Sequence, residues 1–339
     1  MFKVGFRQGA MSDPARRNWA DDGPRPVRWS AWYPADPAST ERPVLLPPHH
    51  RLFHMGRVAR DAGLAERRDA WPVVLISHGT GGSAGSLGWL AGALAAAGHV
   101  VIGVDHHGNT ASEPYRAEGF LCWWERPRDL PVALDGLAAQ GPFAGRLDLG
   151  RVTAAGFSLG GYAVLSLLGA ITSMPLFRAW AVTQPLSKGP REFPDLADRI
   201  DQLFEASPVF RASWERQSVS MLDQRVTAAL SCAPAPTVRG FTPESLHAIT
   251  RPVTIVVGGA DREAPAEQCA HWLHAHVPGS TLHMLGPEVG HYVFLGEGTA
   301  LGRAEEPALW VDPPGVDRRA VQAHVAALAV RELARSPAV

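Results

Sequence analysis

The feature that most constrains this chain is a series of short, unbroken apolar runs that begins near residue 71 and alternates with helical pattern. Pro72-Val-Val-Leu-Ile-Ser77 leads into a Gly-rich turn, an Ala/Leu/Gly helix from about 84 to 97, and then Val100-Val-Ile-Gly-Val-Asp105. The series continues with helix at 130–137, strand at 151–155 and helix at 159–168. Further on come strands at 226–232, 253–257 and 280–284 and a terminal helix at about 317–334. Strands that are apolar without alternation are covered on both faces, which is the condition of a parallel sheet between two helical layers. The prediction is a mostly parallel, doubly wound α/β sheet.

Residues 2–6 and 27–33 read as short strands forming an antiparallel edge, and the Pro-, His- and Arg-rich stretch 34–70 as surface loop with one short helix. An interruption at 171–224 carries Leu196, Ile200, Leu203 and Phe204 at helical spacing, followed by Phe210, Trp214, Val219 and Leu222. It is expected to be a helical lid over the strand ends; the competing reading is a solubilising surface insertion. The domain division is therefore a core of 1–170 and 225–339 with the lid insertion 171–224.

Gly156-Phe157-Ser158-Leu159-Gly160 falls between a strand and a helix. A serine hydroxyl reacts only when a base takes its proton and the backbone presents it to substrate, and this strand–turn–helix context solves the presentation. Ser158 is the expected nucleophile. The negative oxygen formed on attack needs backbone N–H donors. Leu159, at the helix start, and Thr80, within Ser77-His78-Gly79-Thr80-Gly81-Gly82, are the expected oxyanion-hole pair. His78 is read as shaping that loop. A phosphate-loop reading fails, because the Lys-Ser/Thr and GxGxxG spacings are missing.

Nucleophile, acid and base follow one another along the chain in folds of this type. Gly258-Gly259-Ala260-Asp261 places a carboxylate just past a strand, making Asp261 the expected acid with Glu263 as fallback. Of His283 and His291, the second follows Gly290 in a loop and is the expected base. These features predict an α/β-hydrolase fold with a Ser158, Asp261, His291 triad. His106, His107, Trp123 and Trp124 are the expected substrate-binding residues, with buried core as the alternative for the tryptophans.

Other classes fit poorly. The formal net charge of -1 provides no basic field for nucleic acid. Cys122, Cys232 and Cys269 form no CxxC pair, and the clustered histidines lack an HExxH arrangement, so no disulfide, metal or cofactor is expected. No stretch approaches the roughly 18 apolar residues of a membrane span. Met1 to Arg17 lacks the pattern of a signal peptide, so a cytoplasmic location is expected. The sequence specifies no oligomeric state.

With these residues assembled, the chain resembles the bacterial dienelactone-hydrolase-like proteins related to platelet-activating-factor acetylhydrolase. The resemblance rests on residues 77–82, Asp105-His106-His107-Gly108-Asn109-Thr110, Arg126-Pro-Arg-Asp-Leu130, residues 156–161, Gly258-Gly-Ala-Asp261 and Gly290-His291. It implies the same nucleophile, acid, base and oxyanion donors, and acyl hydrolysis of a small ester-type substrate. True dienelactone hydrolases carry a cysteine where this chain has Ser158. The expected activity is hydrolysis of a hydrophobic or aromatic carboxylic ester. Amidase, thioesterase or lactonase action on the same triad, and a non-catalytic binding protein of this fold, are the alternatives.

Overall fold

The computed structural model describes residues 1–184 and 189–334; positions 185–188 of the insertion and 335–339 of the core segment lie outside the described residues. Eleven strands are present among them: β1 (Lys3–Arg17), β2 (Pro24–Ala35), β3 (Arg42–Leu46), β4 (Phe53–Arg60), β5 (Trp71–Ser77), β6 (Val100–Asp105), β7 (Leu147–Phe157), β8 (Val226–Cys232), β9 (Val253–Val257), β10 (Thr281–Met284) and β11 (Glu297–Gly298). Their order is β10-β9-β8-β7-β5-β6-β2-β1-β4-β11, with β3 paired to β4. From β10 to β6 every pairing is parallel, and β2 joins β6 antiparallel.

Alternate residues of β5 divide the core. Val73 and Leu75 face one layer with Leu130, Leu134 and Tyr162, while Val74 and Ile76 face the other with Leu90, Leu94 and Leu328. Both faces are apolar because helices cover both, which is why the sequence shows continuous runs.

Two expectations need correction. The stretch 34–70 contains β3 and β4 where a loop and a short helix were expected. Phe53 and Met55 are buried on either side of exposed His54, the alternation of a half-buried strand, and the burial changes phase past an irregularity in the β3 pairing, with Arg57 exposed and Val58 buried. The apolar face proposed for 196–222 does not run as one helix. Ser207 leaves helical conformation (φ -115°, ψ 105°), ending helix Ile200–Ala206, and its side chain caps a new helix, Pro208–Glu215, by accepting from Phe210 N. Phe204, Phe210 and Trp214 then cluster with ring centroids 5.1–5.3 Å apart, leaving Val219 and Leu222 exposed.

Among the described residues no helix is long and apolar enough to cross a membrane. The three cysteines are buried free thiols.

Candidate active site

At the end of β7 the chain turns sharply into helix Leu159–Ser166, and Ser158 sits on that turn with φ 55° and ψ -117°. Such a conformation costs a non-glycine residue of order 1–3 kcal/mol and persists only where packing enforces it. Here the enforcement comes from two glycines: a Cβ on Gly156 would run into the Gly160 carbonyl, and one on Gly160 into the Ser77 carbonyl of β5. Strand and helix thus approach more closely than side chains allow. Ser158 N donates to Cys232 O of β8 at 2.9 Å, fixing the turn over the sheet's C-terminal edge.

Asp261 lies in the loop after β9. Its Oδ1 accepts from Ala264 N at 2.7 Å, and its Oδ2 lies 2.7 Å from Nδ1 of His291, in the loop after β10. The loops are tied together by Ala260 N donating to Val289 O at 2.9 Å. His291 Nε2 is 3.0 Å from Ser158 Oγ. With an Nδ1 proton directed at the carboxylate, Nε2 is left as the acceptor facing the serine hydroxyl. Ser158, Asp261 and His291 are 8 %, 6 % and 7 % exposed, so these contacts operate in a largely dehydrated setting. Glu263 is exposed and not the residue at His291, and His283 stays within β10.

The loop after β5 runs beside the serine: a Cβ on Gly79 would lie 3.3 Å from that of Ser158. Leu159 N opens the helix behind Ser158. Among the described residues neither its N–H nor that of Thr80 has a protein acceptor, leaving both free for a ligand oxygen. Gly81 N donates to Asn109 Oδ1 at 2.6 Å and Gly81 O accepts from Tyr115 Oη at 2.8 Å, which holds the far side of the loop. Neither contact was read from the sequence, although Asn109 stands in a quoted motif.

The four expected substrate-binding residues are dispersed. His106 is fully buried, 2.9 Å from Ser77 Oγ through Nε2 and 2.8 Å from Asp129 Oδ2 through Nδ1. Trp124 is buried as well and donates through Nε1 to Ser213 O of the insertion at 2.9 Å. Both are committed to partners inside the protein, so neither offers a surface to substrate. His107 Nδ1 lies 2.6 Å from Glu113 Oε1, and Trp123 packs edge-on against Phe177 of the insertion at 5.0 Å.

Beneath the site lies a buried ionic network absent from the sequence reading. Arg16 reaches Asp13 at 2.7 Å, Glu125 at 3.2 Å and Asp129 at 2.5 Å, and Arg25 lies 3.4 Å from Asp129. Burial would raise the Asp129 carboxyl, but Arg16, Arg25 and His106 more than offset it and hold it well below the usual range. Burial, reinforced by Arg126 and opposed by Asp129, pulls His106 down to about 3, so its ring is neutral. The signal that could have found the network is the run of charge at the start of helix Arg126–Ala139, Glu125, Arg128 and Asp129, of which Arg128 also reaches Asp13 at 2.8 Å.

The profile of the alpha/beta hydrolase family matches residues 73–305, well over half of the chain and all of the elements that carry Ser158, Asp261 and His291. The chain belongs to the alpha/beta hydrolase family. A solved structure of a ferulic acid esterase from Streptomyces cinnamoneus shares the fold of this alpha/beta hydrolase, with a TM-score of 0.65 over 99 % of this chain and 90 % of that one, at 19 % identity. No curated protein matches it in sequence.

Proposed function

We propose that this alpha/beta hydrolase is a serine hydrolase that cleaves a carboxylic ester through an acyl-Ser158 intermediate. The observation that carries the reading is the continuous contact Ser158 Oγ, His291 Nε2, His291 Nδ1, Asp261 Oδ2, at 3.0 and 2.7 Å. Ser158 Oγ attacks the ester carbon while its proton passes to His291 Nε2, and Asp261 orients the ring and stabilises the imidazolium. The carbonyl oxygen, now negative, accepts from Thr80 and Leu159 N–H. Collapse expels the alcohol with the proton from His291. Water, deprotonated by the same nitrogen, then releases the acid and restores Ser158.

Within the family we assign the chain to the dienelactone-hydrolase-like and platelet-activating-factor-acetylhydrolase-like group, on the motifs quoted above. The insertion 171–224 is proposed as a lid: Phe193 packs against Phe120 at 5.3 Å, and the Glu192 side chain lies over Gly81 of the loop beside Ser158. Aromatic side chains there support a hydrophobic or aromatic acyl group. The structural neighbour is described as a ferulic acid esterase, so a feruloyl ester belongs among the substrates tried.

The test is a fluorophosphonate followed by peptide mass spectrometry, together with chromogenic esters of graded acyl length on wild type and Ser158→Ala. Labelling at Ser158 and loss of ester turnover in the variant are expected. Folded protein left unlabelled, or activity unchanged by Ser158→Ala, would overturn the reading.

A further inference from the structure

Helix Arg126–Ala139 begins with a guanidinium that is 1 % exposed. Arg126 Nη2 donates to His78 O at 2.7 Å and lies 3.0 Å from His78 Nδ1 and 3.4 Å from Gly79 O, while Nε and Nη1 have no partner among the described residues. A buried cation left with unpaired donors is costly, and such exceptions ask for an explanation. The carbonyls it does face belong to two particular peptide units. His78 O shares its peptide with Gly79 N–H, and Gly79 O shares its peptide with Thr80 N–H.

Resting on the proposed ester hydrolysis, we infer that Arg126 is a positioning residue for the oxyanion hole, anchoring the loop at His78 O and aiming and polarising the Thr80 N–H through the Gly79 carbonyl of the same peptide. A cation on a peptide oxygen draws electron density toward itself and makes the N–H of the same unit a stronger donor, an effect that grows in a dehydrated interior. His78 completes the arrangement. Its Nε2 accepts from His106 N at 3.2 Å; the neutral ring then carries its proton on Nδ1, which lies 2.6 Å from Gly79 O and 3.0 Å from Arg126 Nη2. Burial, Arg126 and His106 all push His78 toward that neutral form. The oxygen of the Gly79–Thr80 peptide therefore lies 2.6 Å from the His78 ring and 3.4 Å from the Arg126 guanidinium, while its N–H has no protein acceptor among the described residues. The stabilisation matters most when the substrate oxygen is negative, so it belongs to the transition state more than to the bound ester.

Arg126→Lys keeps the charge and Arg126→Gln removes it. For wild type and both variants, kcat and KM on a p-nitrophenyl ester and the inhibition constant of an alkyl trifluoromethyl ketone would be measured, with thermal unfolding as the check on folding. The ketone's Ser158 adduct carries an oxyanion. The expected result is a kcat for Arg126→Gln lower by about ten- to hundred-fold with KM within about two-fold, and ketone affinity falling in step with kcat. Arg126→Lys should recover a measurable part of both. Folded Arg126→Gln with unchanged kcat, or a Lys variant no better than the Gln one, would overturn the inference. So would failure of both variants to fold, since that would make Arg126 a support of the core. Ser158→Ala run alongside separates the two levels. If that variant keeps wild-type activity, the proposed function fails; if it is inactive while the Arg126 variants match wild type, only this inference fails.

Discussion

Ser158, Asp261 and His291 stand on three loops at the ends of β7, β9 and β10, each held mainly by backbone hydrogen bonds and glycine contacts from its own neighbourhood and the loop beside it. The ionic network beneath them is assembled differently. Arg16 on the N-terminal hairpin meets Glu125 and Asp129 at sequence separations of 109 and 113, and Glu125 continues to Ser213 and Arg216 of the insertion at 2.7 and 2.8 Å. Presentation of a reactive group is thus a matter of local turns. Holding the hairpin, the loop after β5 and the insertion in one frame falls to buried charge from distant parts of the chain. Substitutions in the two regions should accordingly fail in different ways, one in rate and the other in stability.

The largest effect expected is on rate. Ser158→Ala should lower ester turnover by about 10^4-fold or more while its thermal midpoint stays within about two degrees of wild type, measured by steady-state kinetics and calorimetry. A large loss of stability in this variant would break the contrast. In the network, Asp129→Asn leaves Arg16 and Arg25 buried beside a neutral partner. Breaking a buried ion pair on one side costs about 3–5 kcal/mol. Urea unfolding should show a loss of that order, with kcat per folded molecule changed far less than by Ser158→Ala. A loss below about 1 kcal/mol would show that the network is dispensable to the frame.

Acid sharpens the same contrast. His106, held near 3 in the folded protein, is protonated in the unfolded chain from about its ordinary value of 6.5 downward. Between those values the unfolded state binds the extra proton, so stability falls as pH falls. His78, also pushed well below 6.5, adds in the same direction. Asp129, held low in the fold, contributes stability that is present above its unfolded value near 4 and lost below it. Urea midpoints taken from pH 7.5 to 4 should be level at first and then decline below about 6.5, at on the order of 1 kcal/mol per pH unit for each buried histidine. A midpoint level down to pH 4.5 would show that these rings are not held neutral.

The same division explains what could be read from sequence. The central strands and the Gly156-Phe-Ser-Leu-Gly160 turn were legible because their signals are local: β-branched runs, glycines at fixed offsets, and an acid and a histidine just past strands. Strand β4 was hidden because Gly56-Arg57, beside the irregularity in its pairing with β3, shifts the phase of its alternation. The helix expected at 130–137 begins at Arg126, with Pro127 in its first turn, where proline is tolerated. Ser207-Pro208, a cap followed by a first-turn proline, carried a usable signal for the break in the insertion, and the apolar spacing across it masked that signal. Little local marks Arg16 or Asp129 as buried: Asp13 and His106 are nearer partners, but the contacts of Arg16 to Glu125 and Asp129 span more than a hundred residues.

The smallest effect expected returns to the serine itself. Ser158 holds φ 55°, and an alanine at that position keeps the Cβ that makes the conformation unfavourable. Glycine removes it. Relief in the folded state, of order 1–3 kcal/mol, is opposed by the added freedom of glycine in the unfolded chain, about 0.5–1 kcal/mol. Ser158→Gly should therefore unfold at a higher temperature than Ser158→Ala, by a margin worth roughly 1 kcal/mol, with both variants inactive. The comparison isolates the backbone, since neither variant retains the hydroxyl that meets His291. Equal midpoints would mean that the turn holds little strain and that the Gly156 and Gly160 contacts alone fix the position of Ser158.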